Sequence, residues 1–165
     1  MLLRTNIFLI GCLMFCSQNI CAQKSVYDST EIIYPGNIPL NEIYPKTVRN
    51  FIKDYPDVHN EIWALTSKGY VASFTSLSKT YQLFFGKKGA LRLTVISYDE
   101  EKYFPEDIKR LIAIGYPGSD IQNIVEVSDR TQRLYGITIA NHQSYRLIEY
   151  SQNETKVVDE YTRQL

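Results

Sequence analysis

Cysteine and histidine are scarce in this chain of 165 residues. Its three cysteines, Cys12, Cys16 and Cys21, all lie before Gln23, so removal of that segment leaves a chain without thiols. The remainder then has no disulfide, no cysteine metal site and no thiol nucleophile. Two histidines are present, and no serine lies at a recognisable spacing from a histidine and an acid. The sequence therefore predicts a protein that is not an enzyme.

An excess of one charge is also missing, because 18 basic residues balance 18 acidic ones. A neutral chain has no broad electrostatic attraction for nucleic acid, so we expect no nucleic-acid partner. The glycine patterns that bind phosphates or dinucleotides are absent as well. Gly86-Lys87-Lys88-Gly89 resembles a phosphate loop only superficially, since it separates two alternating segments and is typical of a hairpin turn. These absences predict no cofactor.

Long apolar runs are absent after residue 22, so we expect no transmembrane segment in the mature chain. Residues 1–22 have the pattern of a signal peptide, with Arg4 before the short apolar run Ile7–Phe15 and a small residue, Ala22, before the cut. This pattern predicts a periplasmic or secreted protein. Leu9-Ile10-Gly11-Cys12 resembles a lipobox, so a lipid anchor at Cys12 is the alternative.

Tyrosine, by contrast, is abundant, with 13 copies, and six of them lie at matching places in a pattern that occurs twice. Pro45 opens a segment whose apolar residues recur at helical spacing up to Tyr55-Pro56, and Pro105 opens a similar segment up to Tyr116-Pro117. Each is followed by runs of period two, which is typical of strands. In the second copy we expect strands at about 121–127, 134–140, 143–150 and 155–161.

This order predicts an α+β fold, a tandem repeat of a helix packed on a four-stranded antiparallel sheet. The predicted organisation is a signal peptide at 1–22, a leader at 23–44, a first unit at 45–98, a linker at 99–104 and a second unit at 105–165. Matching tyrosines in the two units are expected in the core, because each unit must bury one helix against one sheet. They are Tyr55, Tyr70, Tyr81, Tyr116, Tyr135 and Tyr145.

With these motifs in view, the chain resembles the PepSY-like, β-lactamase-inhibitor-like (BLIP-like) family of secreted Bacteroidetes proteins. The resemblance covers roughly residues 39–161. It is carried by Pro45…Phe51…Tyr55-Pro56, Trp63, Tyr70-x-Ala72-x-Phe74, Gly89 and Pro105…Ile112…Tyr116-Pro117-Gly118…Ile121…Tyr135. It implies two tandem helix-on-sheet units that share one concave sheet surface. It transfers no catalytic or binding residue to this chain.

If helices cover one face of the strands, the residues between the expected core positions lie on the other face. Hydroxyls, arginines and a few large apolar groups are typical of protein-binding surfaces, and an ordinary solvated sheet face can carry the same mixture. We therefore expect a non-enzymatic exported module that binds another envelope or secreted protein through this face, and inhibition of that protein is one form such binding can take. The candidate residues are Ser73, Thr75, Gln82, Phe84, Arg92, Thr94, Thr138, Arg146, Ile148 and Tyr150.

The alternative is an envelope protein that binds a small ligand or a metal. Asp57-x-His59-x-Glu61 would place three metal-ligating groups on one side of an extended strand. Solvated polar residues are equally expected between the end of a helix and the start of a strand. Both interpretations of this segment stay open on the sequence alone.

Overall fold

The computed structural model describes residues 32–34 and 36–162, and the predicted signal peptide, its cleavage site and Cys12 lie outside them. The chain forms one antiparallel sheet of nine strands whose order in space is their order in sequence. Two α-helices, α1 (Pro45–Asp54) and α2 (Glu106–Gly115), pack on the same face. The strands are β1 (Ile32–Tyr34), β2 (Ile62–Thr66), β3 (Gly69–Ser76), β4 (Lys79–Gly86), β5 (Leu91–Tyr98), β6 (Asp120–Ser128), β7 (Arg133–Ala140), β8 (Ser144–Ser151) and β9 (Glu154–Thr162).

The predicted tandem repeat of two helix-on-sheet units is wrong. α1 precedes β2–β5 and α2 precedes β6–β9, but the eight long strands make a single, mostly β structure with two short helices. The joining ladder runs from Thr94↔Ser128 to Tyr98↔Ile124 between β5 and β6. Periodicity identifies strands but not the edges that pair, because backbone N–H and C=O groups carry no sequence signature.

Both helices begin and end by the same local chemistry. A proline stands at the first position of α1 and immediately before α2, where its missing N–H costs no hydrogen bond. The Tyr55 amide donates to the Phe51 carbonyl, the Tyr116 amide donates to the Ile112 carbonyl, and a proline then follows each tyrosine. The helical segments inferred from apolar spacing are confirmed to within a residue or two.

The core divides into two clusters, one beneath each helix. In the α1 cluster, Phe51 packs edge to face against Trp63 at 5.2 Å and against Phe74 at 5.8 Å between ring centroids. In the α2 cluster, Ile108 and Ile112 pack against isoleucines of β6–β8. The cross-strand pairing continues from one cluster to the other through β5 and β6, so the clusters share one sheet.

A buried polar group lies on the helix-covered face at the strands that join the clusters. Glu126 is 6% exposed, accepts a hydrogen bond of 2.7 Å from the Tyr98 hydroxyl and lies 3.0 Å from Nε of Arg133. Burial, followed by the hydrogen bond to Glu126, raises the pKa of Tyr98 far above its usual value. Lys79 lies over the Tyr98 ring, 4.9 Å from its centroid. The carboxylate is therefore paired and hydrogen-bonded, as a buried charge must be.

The first edge of the long sheet is covered by the segment before α1. The Trp63 amide donates to Oδ1 of Asn37, and the Trp63 carbonyl accepts from the Ile38 amide, each at about 3 Å. β1 pairs with the far end of β2 at Thr66 and Leu65. These bonds satisfy backbone groups that an open edge strand would expose. Among residues 36–162, no helix is long and apolar enough to span a bilayer.

Candidate protein-binding face

The side of the sheet away from α1 and α2 is called the open face below. Residues directly opposite each other in an antiparallel ladder point to the same side, so the pairing registers decide which side chains belong to it. Val71 lies opposite Phe84, which lies opposite Leu93, and both Val71 and Phe84 alternate with core residues. Val125 and Val127 continue the face on β6.

The centre of the open face is apolar and tightly packed. Val95 is 2% exposed, and Val71 and Val127 are also buried, although both described α-helices pack on the other face. Half-buried Phe84, Leu93 and Val125 surround them. Neighbouring side chains on adjacent strands, about 5 Å apart, shield one another in such rows. The accessible apolar surface of this face therefore comes from the half-buried Phe84, Leu93 and Val125, and exposed apolar patches are typical of contact sites.

Charges on the open face lie at its margins. From β2 to β7, two strand residues on this side are charged. They are Arg92, at the bulged start of β5, and Asp120, at the start of β6. Polar but uncharged side chains such as Ser73, Gln82 and Thr138 fill other positions. Charged residues become frequent only on β8 and β9, as at Glu149 and Lys156. An uncharged centre with a charged rim is the usual arrangement of a protein interface.

The structure divides the ten predicted surface residues between the two sides of the sheet. Ser73, Thr75, Gln82, Phe84, Arg92 and Thr138 lie on the open face. Thr94 lies opposite the core residue Leu83, and therefore on the helix-covered face. The three candidates of β8 are on that face as well: Arg146 opposite Ile139, Ile148 opposite Ile137 and Tyr150 opposite Tyr135.

The misplaced residues have a definite cause in β-strand geometry. A shift of one residue exchanges the two faces of a strand, and both sets of alternating residues in β8 contain large apolar groups. Tyr145 and Leu147, expected in the core, lie on the open face, and Tyr145 is 39% exposed. Sequence reasoning also missed Leu93, Val95, Val125 and Val127. Apolar residues on both sides of β5 and β6 were the available signal.

Asp57, His59 and Glu61 do not converge on a point. Among residues 36–162, no group of three histidine, aspartate or glutamate side chains could hold a metal ion. Asp57 and His59 are exposed in the connection between α1 and β2. Solvated residues of a connecting loop account for this motif. His142 is likewise exposed, in the turn between β7 and β8.

Neither a protein-family model nor a curated protein sequence matches this chain. Solved structures share its fold. A BLIP-like protein from Bacteroides fragilis has a TM-score of 0.56 at 12% identity, over 76% of this chain and 87% of that one. A DUF2874 family protein from Bacteroides ovatus has a TM-score of 0.55 at 15% identity, over 73% and 87% of the two chains. A third structure comes from Bacteroides eggerthii and is described with the words "putative periplasmic proteins". It has a TM-score of 0.54 at 15% identity, over 73% of this chain and 88% of that one. The chain is therefore similar in fold to BLIP-like and DUF2874 structures of Bacteroides.

Proposed function

We propose that this protein is an exported, non-enzymatic module that binds another protein through the open face of its sheet. The observation that supports the proposal best is the uncharged centre of that face, where half-buried Phe84, Leu93 and Val125 surround the buried Val95 and Val127 and neither α1 nor α2 packs. Export is supported by the signal-like segment at 1–22, and a periplasmic location by the description of the structure from Bacteroides eggerthii.

The dimensions of the face suit a protein partner. Nine strands spaced about 4.8 Å apart extend over roughly 38 Å. A strand of eight residues, such as β3, extends over roughly 26 Å at about 3.3 Å per residue. The product is about 1,000 Å², comparable with the roughly 800 Å² that each partner buries in a standard interface. A small ligand would use a fraction of this area.

Site-specific photocrosslinking tests the proposal. A photoreactive amino acid replaces Gln82, which is exposed on the open face, or Arg110, which is exposed on α2. In cells that express the full chain, we expect a discrete adduct from position 82 and none from position 110. Mass spectrometry of the adduct then identifies the partner, and the purified partner is titrated against the purified chain.

A matched pair of substitutions distinguishes the open face from a general effect of charge. Phe84→Asp places a carboxylate in the centre of the open face and should abolish both the adduct and the titrated binding. Ile114→Asp is the control, because Ile114 is 76% exposed on α2. Equal binding by both variants, or an adduct from position 110 alone, contradicts the proposal.

A further inference from the structure

The strands separate where β5 begins. β5 starts at Leu91, but its ladder with β6 begins only at Thr94↔Ser128, after which β6 turns into the hairpin that leads to β7. Residues 91–93 consequently have no strand beside them on that side. A cleft of about 250 Å³ occupies the space, lined by Ala90, Leu91, Arg92, Asp129, Arg130 and Thr131.

Two arginines contribute to the lining of this cleft, Arg92 from β5 and Arg130 from the hairpin. Both residues are exposed, and neither forms an ion pair or hydrogen bond with another described residue. Two other arginines of the sheet do have acidic partners, since Arg133 pairs with Glu126 and Arg146 with Glu160. The cleft therefore contains positive charge that its own residues leave uncompensated.

The one acidic residue in the lining, Asp129, is engaged by its own loop. Its Oδ1 accepts hydrogen bonds from the Thr131 amide at 2.7 Å, the Thr131 hydroxyl at 2.7 Å and the Gln132 amide at 2.9 Å. These bonds lower the pKa of Asp129, which stays ionised and fixes the hairpin around Arg130. Two arginines and one carboxylate leave the lining with an excess of positive charge.

The glycine at position 86 makes room for the Arg92 side chain. A Cβ atom at Gly86 would lie 2.5 Å from Nε of Arg92 and 3.3 Å from its Cζ. The backbone of Gly86 is not in the left-handed region, so its conformation does not require glycine. The missing side chain instead lets the guanidinium lie against the end of β4, beside the cleft.

We propose that this cleft binds a carboxylate between Arg92 and Arg130. The planar guanidinium group is suited to this role, because its parallel N–H donors match the two oxygens of a carboxylate. An acidic side chain of a polypeptide and a free small carboxylate present the same group. The proposal does not depend on the open face, since the cleft can bind a carboxylate even if that face binds nothing.

Isothermal titration of the full chain at low ionic strength tests the site with three probes. Citrate represents a free carboxylate, acetylated and amidated tetraglutamate represents an acidic segment, and tetraglutamine is the uncharged control. Binding of citrate alone assigns the site to small carboxylates, and binding of tetraglutamate assigns it to polypeptide. Either result supports the proposal. Binding of neither probe, or equal binding of tetraglutamine, overturns it.

Variants locate the binding. Arg92→Gln/Arg130→Gln should weaken it about tenfold or more, since a hydrogen bond to a charged group contributes roughly 1.5–3 kcal/mol. Arg49→Gln/Lys53→Gln removes the same charge from exposed positions of α1 and should change affinity by less than about twofold. Gly86→Ala should weaken binding with an unchanged urea midpoint, because it displaces only a flexible side chain. Equal losses in the two double variants, or no loss in the first, overturn the proposal.

Discussion

Replacing Ile148 with alanine should destabilise the whole sheet and not only the half to which Ile148 belongs. Ile148 is 0% exposed and lies on β8 between Ile137 and Val157, in the cluster beneath α2. Large-to-small changes in cores cost about 2–5 kcal/mol. We expect the upper part of that range, because a sheet and a helix border the site and cannot collapse into the void. The melting temperature should fall by roughly 10 °C for a chain of this size.

The single tryptophan makes this prediction testable, because it reports from the other cluster. Trp63 is 1% exposed beneath α1. Urea unfolding is followed by Trp63 fluorescence and, in parallel, by far-ultraviolet circular dichroism. Since one ladder joins β5 to β6, we expect both signals to move to the same lower midpoint in Ile148→Ala.

The neighbouring residue provides the control. Leu147 lies on the open face and is half-buried, so Leu147→Ala should shift the midpoint much less. Equal shifts for the two variants would contradict the assignment of faces in β8. The coupling is refuted if the urea midpoint from Trp63 fluorescence stays at its wild-type value while the midpoint from circular dichroism falls. The two clusters would then unfold independently.

Three further predictions concern single residues. Gly89 and Gly118 share a φ of 78°, but a Cβ would lie 2.7 Å from the Thr47 backbone nitrogen at Gly89 and within 4 Å of nothing at Gly118. In urea unfolding, Gly118→Ala should therefore lower stability by about 1–2 kcal/mol, and Gly89→Ala should lower it distinctly more. Equal losses would contradict the close packing of the β4–β5 turn on α1. Oγ1 of Thr47 is buried without a hydrogen-bond partner among the described residues, so Thr47→Val should be neutral or stabilising. If thermal unfolding shows a loss of stability above about 1 kcal/mol, the hydroxyl is hydrogen-bonded after all. The raised pKa of Tyr98 keeps it protonated where the unfolded chain ionises, so the contribution of Tyr98 to stability should be constant below about pH 10 and fall above it, by about 1.4 kcal/mol per pH unit. Tyr98→Phe should lower stability at neutral pH and make the alkaline decline less steep; an unchanged slope would contradict the burial of this hydroxyl.

The local chemistry of this chain is predictable, and its long-range pairing is not. Pro45 and Pro105 mark the helix starts because proline is tolerated only there in a helix, and period two marks the strands. Neither signal says whether β5 and β6 meet. The pairing brings Val95 beside Val127 and makes one apolar surface out of positions that two separate sheets would have kept apart.

The candidate site was predicted best where one side of a strand is clearly polar. In β3, Ser73 and Thr75 alternate with Ala72 and Phe74, and the structure places the polar pair on the open face. In β8 both sides carry large apolar residues, so periodicity alone does not distinguish them. A bulge between Leu147 and Ile148 in the ladder with β9 further interrupts the regular register there.

The strands lie in the sheet in the same order as in the sequence, and this order affects how fast the chain folds. Every neighbouring pair of long strands except β5 and β6 is joined directly by a short turn, so most native contacts link residues that are close in sequence. The low contact order predicts faster folding than that of a Greek-key sandwich of equal length, because little loop-closure entropy is lost before the contacts form. Closure of the segment between Tyr98 and Asp120, which contains α2, is then the step with the largest entropic cost.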